Sequence, residues 1–274
     1  MSVILIPAAI LAGLGALFGI LLAVASKVFA VKTDERVSAV RESLPGANCG
    51  GCGYSGCDAL AAAIVEGKAS PSACTAGGNA VAAKVAAIMG VSVEAQKPMR
   101  AFIHCAGEDA VAKRKYNYAG VADCAAAEKL AGGDKMCAAG CLGHLSCAAV
   151  CPAEAIRLEN GVAVVDAAKC IGCGACTRVC PKHLIEMVPR DAHYIVRCSS
   201  HAKGPALLNA CRAGCIGCGL CTRVCESGAI TVTDALAAID YEKCIGCGKC
   251  AEKCPRHIIV PLSGVPAEEI KKEA

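Results

Sequence analysis

Hydrophobic and polar positions divide the chain into one uncharged N-terminal run and a long remainder of short, interrupted patterns. Residues 3–26 contain no charged side chain and are almost all apolar. A bilayer core of about 30 Å is crossed by about 20 helical residues. This run therefore predicts a transmembrane helix, and we expect residues 1–26 to be a membrane anchor.

Positive charges begin directly after this run, at Lys27, Lys32, Arg36 and Arg41. The positive-inside rule then predicts a single-pass protein of the cell inner membrane, with the N-terminus outside and the remainder in the cytoplasm. A cleaved signal peptide is the alternative, because residues 23–25 (AVA) resemble a cleavage site. The anchor is favoured, because the run has no positively charged start and exceeds the usual length of a signal sequence.

Short patterns of both helical and strand period follow, and together they predict an α+β fold. The alanine-rich stretches 59–66 and 80–89 have an apolar face at helical spacing, so they are expected to form short helices. Residues 155–165 alternate between apolar and polar positions around the dipeptide at 160–161, Asn-Gly, which is typical of tight β-hairpins.

Cysteine is the residue that sets this composition apart from that of an ordinary globular protein. The chain has 24 cysteines among 274 residues, with no Trp and only three Phe. Most of the cysteines lie a few residues apart, and such close neighbours are better suited to sharing a metal centre than to forming separate disulfides. The cysteine runs are therefore expected to carry the chemistry of this protein.

Two segments, 170–181 and 244–255, have the spacing Cys-x2-Cys-x2-Cys-x3-Cys-Pro of bacterial ferredoxins. Three cysteines of such a run bind one [4Fe–4S] cluster and the fourth binds the neighbouring cluster, so paired runs exchange their last ligands. Segment 215–225 has the same spacing but is followed by Glu226 instead of proline, and segment 137–152 keeps the proline with wider spacing. The predicted ligand sets are Cys137, Cys141, Cys147 and Cys180; Cys170, Cys173, Cys176 and Cys151; Cys215, Cys218, Cys221 and Cys254; and Cys244, Cys247, Cys250 and Cys225.

A fifth set of cysteines lies closer to the anchor, three of them on a glycine-rich loop. Four thiolates suit either zinc or an iron–sulfur cluster. The block contains only one C-x-x-C pair, whereas two pairs would favour zinc. We therefore expect five [4Fe–4S] clusters in all, and the ligands of the fifth are Cys49, Cys52, Cys57 and Cys74.

Four cysteines remain outside these sets: Cys105, Cys124, Cys198 and Cys211. They could be buried packing residues, since free cysteine behaves as a small hydrophobic side chain. They could also hold a sixth cluster, or form disulfides 105–124 and 198–211, although a reducing cytoplasm disfavours the last choice. The sequence leaves these three alternatives open.

Other kinds of site are not indicated. The chain shows no catalytic constellation and no glycine-rich phosphate loop that opens a helix, so neither a flavin nor a nicotinamide site is predicted. The formal net charge of +4 does not indicate nucleic-acid binding, because no basic patch with interleaved aromatics is present. Five anionic clusters would bring the net charge to about −6.

An internal repeat divides the region after residue 98 into two similar units, each starting with a strand-like run that ends near a cysteine. Together with the first cysteine block, the repeat predicts three domains after the anchor. These are an N-terminal [4Fe–4S] domain over 27–97, a first two-cluster ferredoxin-like module over 98–192, and a second such module over 193–274.

Residues 48–57, NCGGCGYSGC, resemble the N-terminal iron–sulfur domain of the B subunits of Rnf complexes, which are membrane-bound, ion-translocating ferredoxin:NAD oxidoreductases. Residues 113–118 and 139–143 also resemble this family, and its members share the order of anchor, cysteine block and ferredoxin motifs. The resemblance implies a subunit that takes electrons from reduced ferredoxin and passes them through [4Fe–4S] clusters to the membrane subunits. Other membrane and peripheral subunits would complete the translocase, and this chain alone would be an electron carrier.

Two other functions compete with this one. The chain could be a membrane-tethered polyferredoxin that serves several partners and belongs to no fixed complex. It could also be a partner of corrinoid proteins, since a similar C-G-x-C-G-Y block occurs in corrinoid iron–sulfur proteins. If reduced ferredoxin is the donor, the basic residues beside the cluster loops, Lys182, Lys249 and Arg256, are expected to help it dock.

Overall fold

The computed structural model describes residues 2–28, 34–95 and 97–262, with side chains from 12–25 and from 34 onwards. The first helix, α1, spans Ser2–Val28. Among the described residues, no helix combines the length and apolar character needed to cross a membrane. The predicted span depends in part on the side chains of residues 3–11 and 26, which lie outside the described ones.

Three helices form the N-terminal iron–sulfur unit: α2 (Glu35–Ser43), α3 (Cys57–Val65) and α4 (Gly78–Met89). Its core is built from fully buried aliphatic side chains of all three helices, namely Val40, Leu60, Ile64 and Val85. The predicted helices at 59–66 and 80–89 are thereby confirmed to within a few residues. Cys49, Cys52 and Cys74 lie on the loops between these helices, and Cys57 is the first residue of α3.

The first half of the repeat contains two separate antiparallel strand pairs. Strand β1 (Met99–Ile103) pairs with β4 (Ile185–Pro189), and β2 (Ile156–Glu159) pairs with β3 (Val162–Val165). The hairpin predicted around the Asn-Gly dipeptide at 160–161 is confirmed, and both turn residues have positive φ, as this tight turn requires. Short helices lie between the strands: α5 (Cys124–Lys129), α6 (Ser146–Ala149) and α7 (Ala175–Val179).

The second half repeats this arrangement. Strand β5 (Tyr194–Val196) pairs with β8 (Ile259–Pro261), and β6 (Ile230–Thr233) pairs with β7 (Leu236–Ile239). Its helices are α8 (Gly204–Ala210), α9 (Leu220–Arg223) and α10 (Lys249–Glu252). The combination of short helices and two-stranded antiparallel sheets agrees with the α+β class predicted from the sequence.

Hydrogen bonds to backbone carbonyls join the two halves of the repeat. His104 Nδ1 lies 2.7 Å from the carbonyl oxygen of Val196, and the Arg100 guanidinium donates to the carbonyl of Leu262 at 2.7 Å. The N–H of Lys113 also donates to the carbonyl of Ala210 at 3.0 Å. The segments that follow β1 and β5 are thereby held side by side, and each of these segments carries a cysteine.

Candidate iron–sulfur cluster sites

The N-terminal unit brings the four cysteines of its predicted set around one pocket: Cys49, Cys52, Cys57 and Cys74. Asn48 shapes the loop, because its side-chain oxygen accepts the N–H of Cys57 at 2.8 Å while its own backbone has positive φ. Burial raises the pKa of the Cys74 thiol, and the other three thiols of the set raise it further. Such mutual destabilisation of thiolates is relieved when a cationic centre binds them.

A second pocket, in the C-terminal half, is lined by another predicted set: Cys215, Cys218, Cys221 and Cys254. Gly219 precedes α9 with φ of +68°, so the chain turns sharply after Cys218 and places Cys221 in the first turn of the helix. Burial raises the pKa of the Cys221 thiol, as do the neighbouring Cys215 and Cys218. Within this pocket, Cys218 is the exposed ligand candidate.

In two further predicted sets, the cysteines lie close enough together for the other thiols to raise the pKa of one member. Burial, followed by Cys170, Cys173 and Cys151, raises the pKa of the Cys176 thiol to about 11. Cys250 behaves in the same way: its pKa is raised to about 11 by burial and by the other members of its set, Cys244, Cys247 and Cys225.

Glu226, which stands where the other ferredoxin-type runs have proline, lies on the surface beside this last set. Its carboxylate pairs with the Lys249 ammonium. The two oppositely charged side chains tie the end of one cysteine run to the start of α10 in the other. The substitution is therefore accommodated by an ion pair between the paired runs.

A third pocket differs from the predicted set at one position. It is lined by Cys124, Cys141, Cys147 and Cys180, whereas the spacing predicted Cys137 in place of Cys124. Burial, and then Cys141, Cys124 and Cys180, raise the pKa of the Cys147 thiol to about 12. The wider spacing of this run explains the difference, because the loop from Cys141 to Cys147 leaves a corner that the distant Cys124 fills.

A short hydrogen-bond network fixes Cys124 at that corner. The Asp123 carboxylate caps α5 by accepting the N–H of Ala126 at 2.8 Å, and it also accepts the hydroxyl of Ser146 at 2.8 Å. The Ser146 oxygen in turn accepts the N–H of Cys124 at 2.7 Å. The first residue of α5 is thus tied to the first residue of α6, one residue before Cys147.

The fourth pocket collects the remaining cysteines. It is lined by Cys105, Cys137, Cys198 and Cys211 and lies where the two halves of the repeat meet. Three of the four unassigned cysteines therefore share a pocket with Cys137, and the other, Cys124, lies in the third pocket. All 24 cysteines are free thiols, so neither disulfide considered from the sequence is present.

These pockets suit an iron–sulfur cluster in donor type and in size. The four contain between about 300 and 390 Å³ of space not filled by protein atoms, part of it open to solvent. Among the described residues, no group of three or more His, Cys, Asp or Glu side chains is placed to hold a metal ion. A cubane is an eight-atom cage, so its four thiolates stand apart around a cavity.

Backbone N–H groups point at several of the sulfurs, as is usual where thiolates carry cluster charge. Gly107 and Cys141 donate to Cys105 Sγ at 3.3 and 3.4 Å. Ala155 donates to Cys151 Sγ at 3.3 Å. Similar bonds reach Cys170, Cys180 and Cys198.

Models of several iron–sulfur families match parts of the chain. A model described as "Putative Fe-S cluster" matches residues 44–76, and "LdpA Fe-S cluster-binding domain" matches 137–191. Two models described as "4Fe-4S dicluster domain" match 169–230 and 214–259. Iron–sulfur families therefore match each part of the chain that carries a cysteine run, and the two dicluster models support [4Fe–4S] clusters between residues 169 and 259.

Relatives that match most of the chain decide the family. The B subunit of the Na(+)-translocating ferredoxin:NAD(+) oxidoreductase complex of Acetobacterium woodii is 46% identical over 89% of this chain and 73% of the relative. The B subunit of the proton-translocating ferredoxin:NAD(+) oxidoreductase complex of Clostridium ljungdahlii is 41% identical over 88% of this chain and 85% of the relative. In Methanosarcina acetivorans, the B subunit of an ion-translocating oxidoreductase complex is 40% identical over 88% and 92%. The chain belongs to this family of B subunits. The resemblance to Rnf B subunits is thereby confirmed.

In this B subunit the N-terminal unit sits directly on the cysteine loop of the first ferredoxin-like half. Arg178 donates to the carbonyls of Gly50 and Gly51 at 2.7 and 3.2 Å, and the Thr75 hydroxyl donates to the carbonyl of Cys173 at 3.2 Å. A methyl group on Gly51 would lie 2.3 Å from that same carbonyl oxygen. The two cysteine loops are therefore in backbone contact.

The other sites of the chain follow one another in the same manner. Neighbouring sets meet where a thiol of one set raises the pKa of a thiol of the next, or where an N–H of one set donates to a sulfur of the next. Starting from the N-terminal half of the repeat, these meeting points are Cys176 with Cys147, Cys141 with Cys105, and Cys215 with Cys198. The groups of four cysteines in the four pockets, together with the two remaining predicted sets, thus form one continuous series. The last two sets of this series share one hydrophobic core.

The sequence analysis did not single out Lys135, a charged residue whose side chain is fully buried beside two of the cysteine sets. Its ammonium donates to the carbonyls of Gly107 and Gly161 at 2.7 and 3.1 Å. The same ammonium lowers the pKa of the Cys141 and Cys211 thiols, although burial raises both overall. No spacing rule marks this lysine, because its position beside two cysteine sets arises only in the folded chain.

The basic residues expected to dock ferredoxin are less available than the sequence suggested. The Lys182 side chain is only 7% exposed, pairs with Glu128 and donates to the carbonyl of Gly132. Lys249 is held by Glu226, and Arg256 donates to the carbonyl of Gly214. The Lys182 ammonium is therefore engaged in contacts within the protein and is not available at the surface to bind ferredoxin.

Proposed function

We propose that this chain conducts single electrons from reduced ferredoxin to the membrane subunits of an ion-translocating ferredoxin:NAD oxidoreductase. The observation that carries this proposal is the continuous series of four-cysteine sets, which reaches from the C-terminal half of the repeat to the N-terminal unit. The chain itself is an electron carrier. The nicotinamide chemistry and the ion path belong to other subunits of the complex.

The proposed cofactors are [4Fe–4S] clusters on the five predicted sets, with Cys124 taking the place of Cys137. Such clusters, when bound, accept and release one electron each. The protein supplies thiolates at four corners of each site and N–H donors that lower the cost of the cluster's negative charge. Nine of these twenty cysteines are buried and ten are partly buried, which limits the access of water and oxygen to the sulfurs.

We further propose that ferredoxin docks on the second half of the repeat, beside Cys218. This cysteine is exposed, and its loop carries two exposed apolar side chains, Ile216 at 41% and Leu220 at 38%. An exposed ligand beside apolar contact area is what a transient redox partner needs for close approach. The N-terminal unit follows the helix α1 in sequence and would deliver electrons to the membrane subunits.

The apolar helix α1 is proposed to anchor the chain in the cell inner membrane, with the N-terminus outside and the cluster domains in the cytoplasm. Two observations support the proposal: the absence of charge over residues 3–26, and the exposure of apolar side chains such as Leu17, Phe18 and Leu22 in the part of α1 whose side chains are described. Protease added to sealed, right-side-out vesicles should spare the cysteine domains. Their digestion from outside would overturn this orientation.

The proposed function is tested by following ferredoxin-driven reduction of the clusters in the purified complex. Ile216→Glu places a charge in the proposed contact area and should slow reduction by ferredoxin severalfold while leaving reduction by dithionite unchanged. Ile171→Glu is the matched control, because Ile171 follows the first cysteine of the corresponding loop and is 39% exposed. Equal slowing by both variants would place ferredoxin elsewhere.

The membrane-tethered polyferredoxin alternative is distinguished by composition. A fixed subunit should co-purify from detergent with integral membrane subunits in constant stoichiometry. A carrier that serves several partners would purify alone. The corrinoid alternative would be revealed by bound cobalamin absorption.

A further inference from the structure

We propose that Cys105, Cys137, Cys198 and Cys211 hold a sixth [4Fe–4S] cluster, which joins the two ferredoxin-like halves of the chain. The existence of the site does not depend on the proposed function, whereas its role as a junction for electrons rests on it. The four thiols line a single pocket of about 350 Å³, part of it open to solvent. This space is similar to that of the three other cysteine-lined pockets.

The four thiols come from equivalent positions in the two halves of the repeat. Cys105 lies two residues after β1, and Cys198 lies two residues after β5. Cys137 lies four residues before Cys141, and Cys211 lies four residues before Cys215. Each half therefore contributes one cysteine after its first strand and one four residues before a cysteine of its run. The pocket is thus lined by two equivalent pairs of cysteines, one pair from each half.

Hydrogen bonds to the sulfurs repeat this equivalence. Cys105 Sγ accepts the N–H of the residue two positions on, Gly107, at 3.3 Å, and Cys198 Sγ accepts that of Ser200 at 3.5 Å. Cys105 Sγ also accepts the N–H of Cys141, and Cys198 Sγ that of Cys215, both at 3.4 Å. Two donors for each sulfur are suited to thiolates that carry cluster charge.

The buried ammonium of Lys135 points to an anion at this place. Both of its hydrogen bonds go to backbone carbonyls, and no ion pair joins it to a carboxylate of the described residues. An uncompensated buried charge is costly, and such groups normally pair with an opposite charge. Gly107, whose carbonyl accepts from this ammonium at 2.7 Å, lines the pocket, and a cubane held by four thiolates would supply the missing negative charge there.

Hydrogen bonds around the pocket already hold three of its four corners in place. An antiparallel bridge joins Ala112 to Cys211, and the N–H of Arg212 donates to the carbonyl of Val111 at 2.9 Å. On the other side, the Ser199 hydroxyl donates to the carbonyl of His104 at 3.2 Å. The residues adjacent to Cys105, Cys198 and Cys211 are thus tied to the opposite half of the repeat.

The position of this pocket explains how electrons would cross between the halves. Cys141 belongs to the last set of the first half and Cys215 to the first set of the second half. Each donates its N–H to a thiol of the proposed site, so the site is in direct contact with both neighbours. Without a cluster there, the series of sets would be interrupted between the halves.

The test is the iron content of the full chain, purified without oxygen in detergent. Six clusters give about 24 iron and 24 acid-labile sulfide atoms per chain, and Cys198→Ala should remove about four of each. Lys203→Ala, which changes an exposed side chain five residues away, should retain them all. A wild-type content near 20, or an unchanged content in Cys198→Ala, would overturn the site.

A second measurement keeps the result interpretable if Cys198→Ala disturbs folding. Cys211→Ala, on a different segment, should lose the same four iron atoms, and the paramagnetic resonance signals of the other reduced clusters should persist in both variants. Loss of most iron in one variant but none in the other would contradict a shared cluster.

The junction role is tested separately with ferredoxin as the reductant. In Cys198→Ala, clusters of the second half should still be reduced at the wild-type rate, while those of the first half should be reduced severalfold more slowly. Equal rates in both halves would overturn the junction but leave the site intact. If ferredoxin reduces no cluster even in the wild-type complex, the proposed function fails, and the iron analysis still decides the site.

Discussion

The N–H of Cys141 donates to Cys105 Sγ at 3.4 Å, which places two cysteines of different sets in direct contact. The equivalent bond in the second half of the repeat joins Cys215 to Cys198 at the same distance. The hydrogen bond between Cys141 and Cys105 therefore lies where the third and fourth pockets adjoin. This shared edge is the structural basis for passing an electron from one site to the next without a mobile carrier.

We predict that pairs of cysteine substitutions will reveal which thiols share a cluster. Cys105→Ala with Cys137→Ala should cost about four iron atoms in total, because both residues line one pocket. Cys124→Ala with Cys137→Ala should cost about eight, since these residues line different pockets. Iron and sulfide analysis of the anaerobic protein checks both values, and a loss of four in the second pair would restore the set predicted from the spacing.

The sequence revealed those sets whose geometry is local. Cys215, Cys218 and Cys221 lie on one tight loop, so their spacing alone brings them to the same pocket. The fourth member, Cys254, followed from the pairing of two such runs. Ligand exchange between paired runs is a regular feature of the ferredoxin arrangement, and it could be inferred without knowing any contact.

The sets that sequence reasoning missed depend on contacts between distant segments. Cys124 stands alone in the sequence and reaches its pocket only because α5 is tied to α6. Cys105 and Cys198 likewise belong to no run. One signal was available: the Cys-x3-Cys spacing of 137–141 recurs at 211–215, which makes the unassigned Cys211 the counterpart of Cys137 within the repeat.

Lys135→Gln is predicted to lower the reduction potentials of the two clusters on either side of it. The buried ammonium stabilises the additional negative charge of a reduced cluster, and glutamine keeps a donor for the nearby carbonyls while removing the charge. An effect of tens of millivolts is expected at the effective dielectric of a protein interior. Redox titration followed by paramagnetic resonance measures the shift.

Lys115→Gln is the control for this substitution. The Lys115 ammonium also donates to a backbone carbonyl, that of Ala131, but it does so at the surface, where solvent screens its charge. Its removal should leave all potentials unchanged. Equal shifts in both variants would indicate a general charge effect and contradict a specific role for Lys135.

Asp123→Ala is predicted to loosen the cluster held by Cys124. Hydrogen bonds from the N–H of Ala126, and then from Ser146, keep the pKa of the Asp123 carboxyl below its ordinary value. A depressed pKa stabilises the fold above the ordinary value near 3.8, and this contribution is lost as the pH falls through the lowered pKa. The variant should therefore unfold at a lower temperature than the wild type, by a constant difference between about pH 8 and pH 5.

Asp123→Asn separates the cap from the charge in this experiment. Asparagine retains an acceptor for the N–H of Ala126, so most of the stability should return. Thermal unfolding with iron release as the readout compares the three proteins. A wild-type advantage over Asp123→Ala that grows on acidification would contradict the assigned direction of the pKa shift.

Gly51→Ala is predicted to separate the N-terminal unit from the first ferredoxin-like half. The added methyl group would lie 2.3 Å from the carbonyl oxygen of Cys173, and a backbone atom cannot move aside as a flexible side chain can. The cysteine loops that carry Cys49 and Cys173 should move apart, which slows the last electron transfer toward the membrane. Stopped-flow reduction should show normal filling of the first-half clusters and severalfold slower reduction of the N-terminal one, with unchanged iron content.

Gly67→Ala is the matched control for this last variant. Gly67 lies in the same unit and has φ of +73°, so alanine there strains the backbone, but its methyl group would meet no atom within 4 Å. Gly67→Ala should lower the stability of the unit while leaving the transfer rate unchanged. Slower transfer in both variants would assign the effect to a weakened N-terminal unit, and slower transfer in Gly51→Ala alone would assign it to the contact with Cys173.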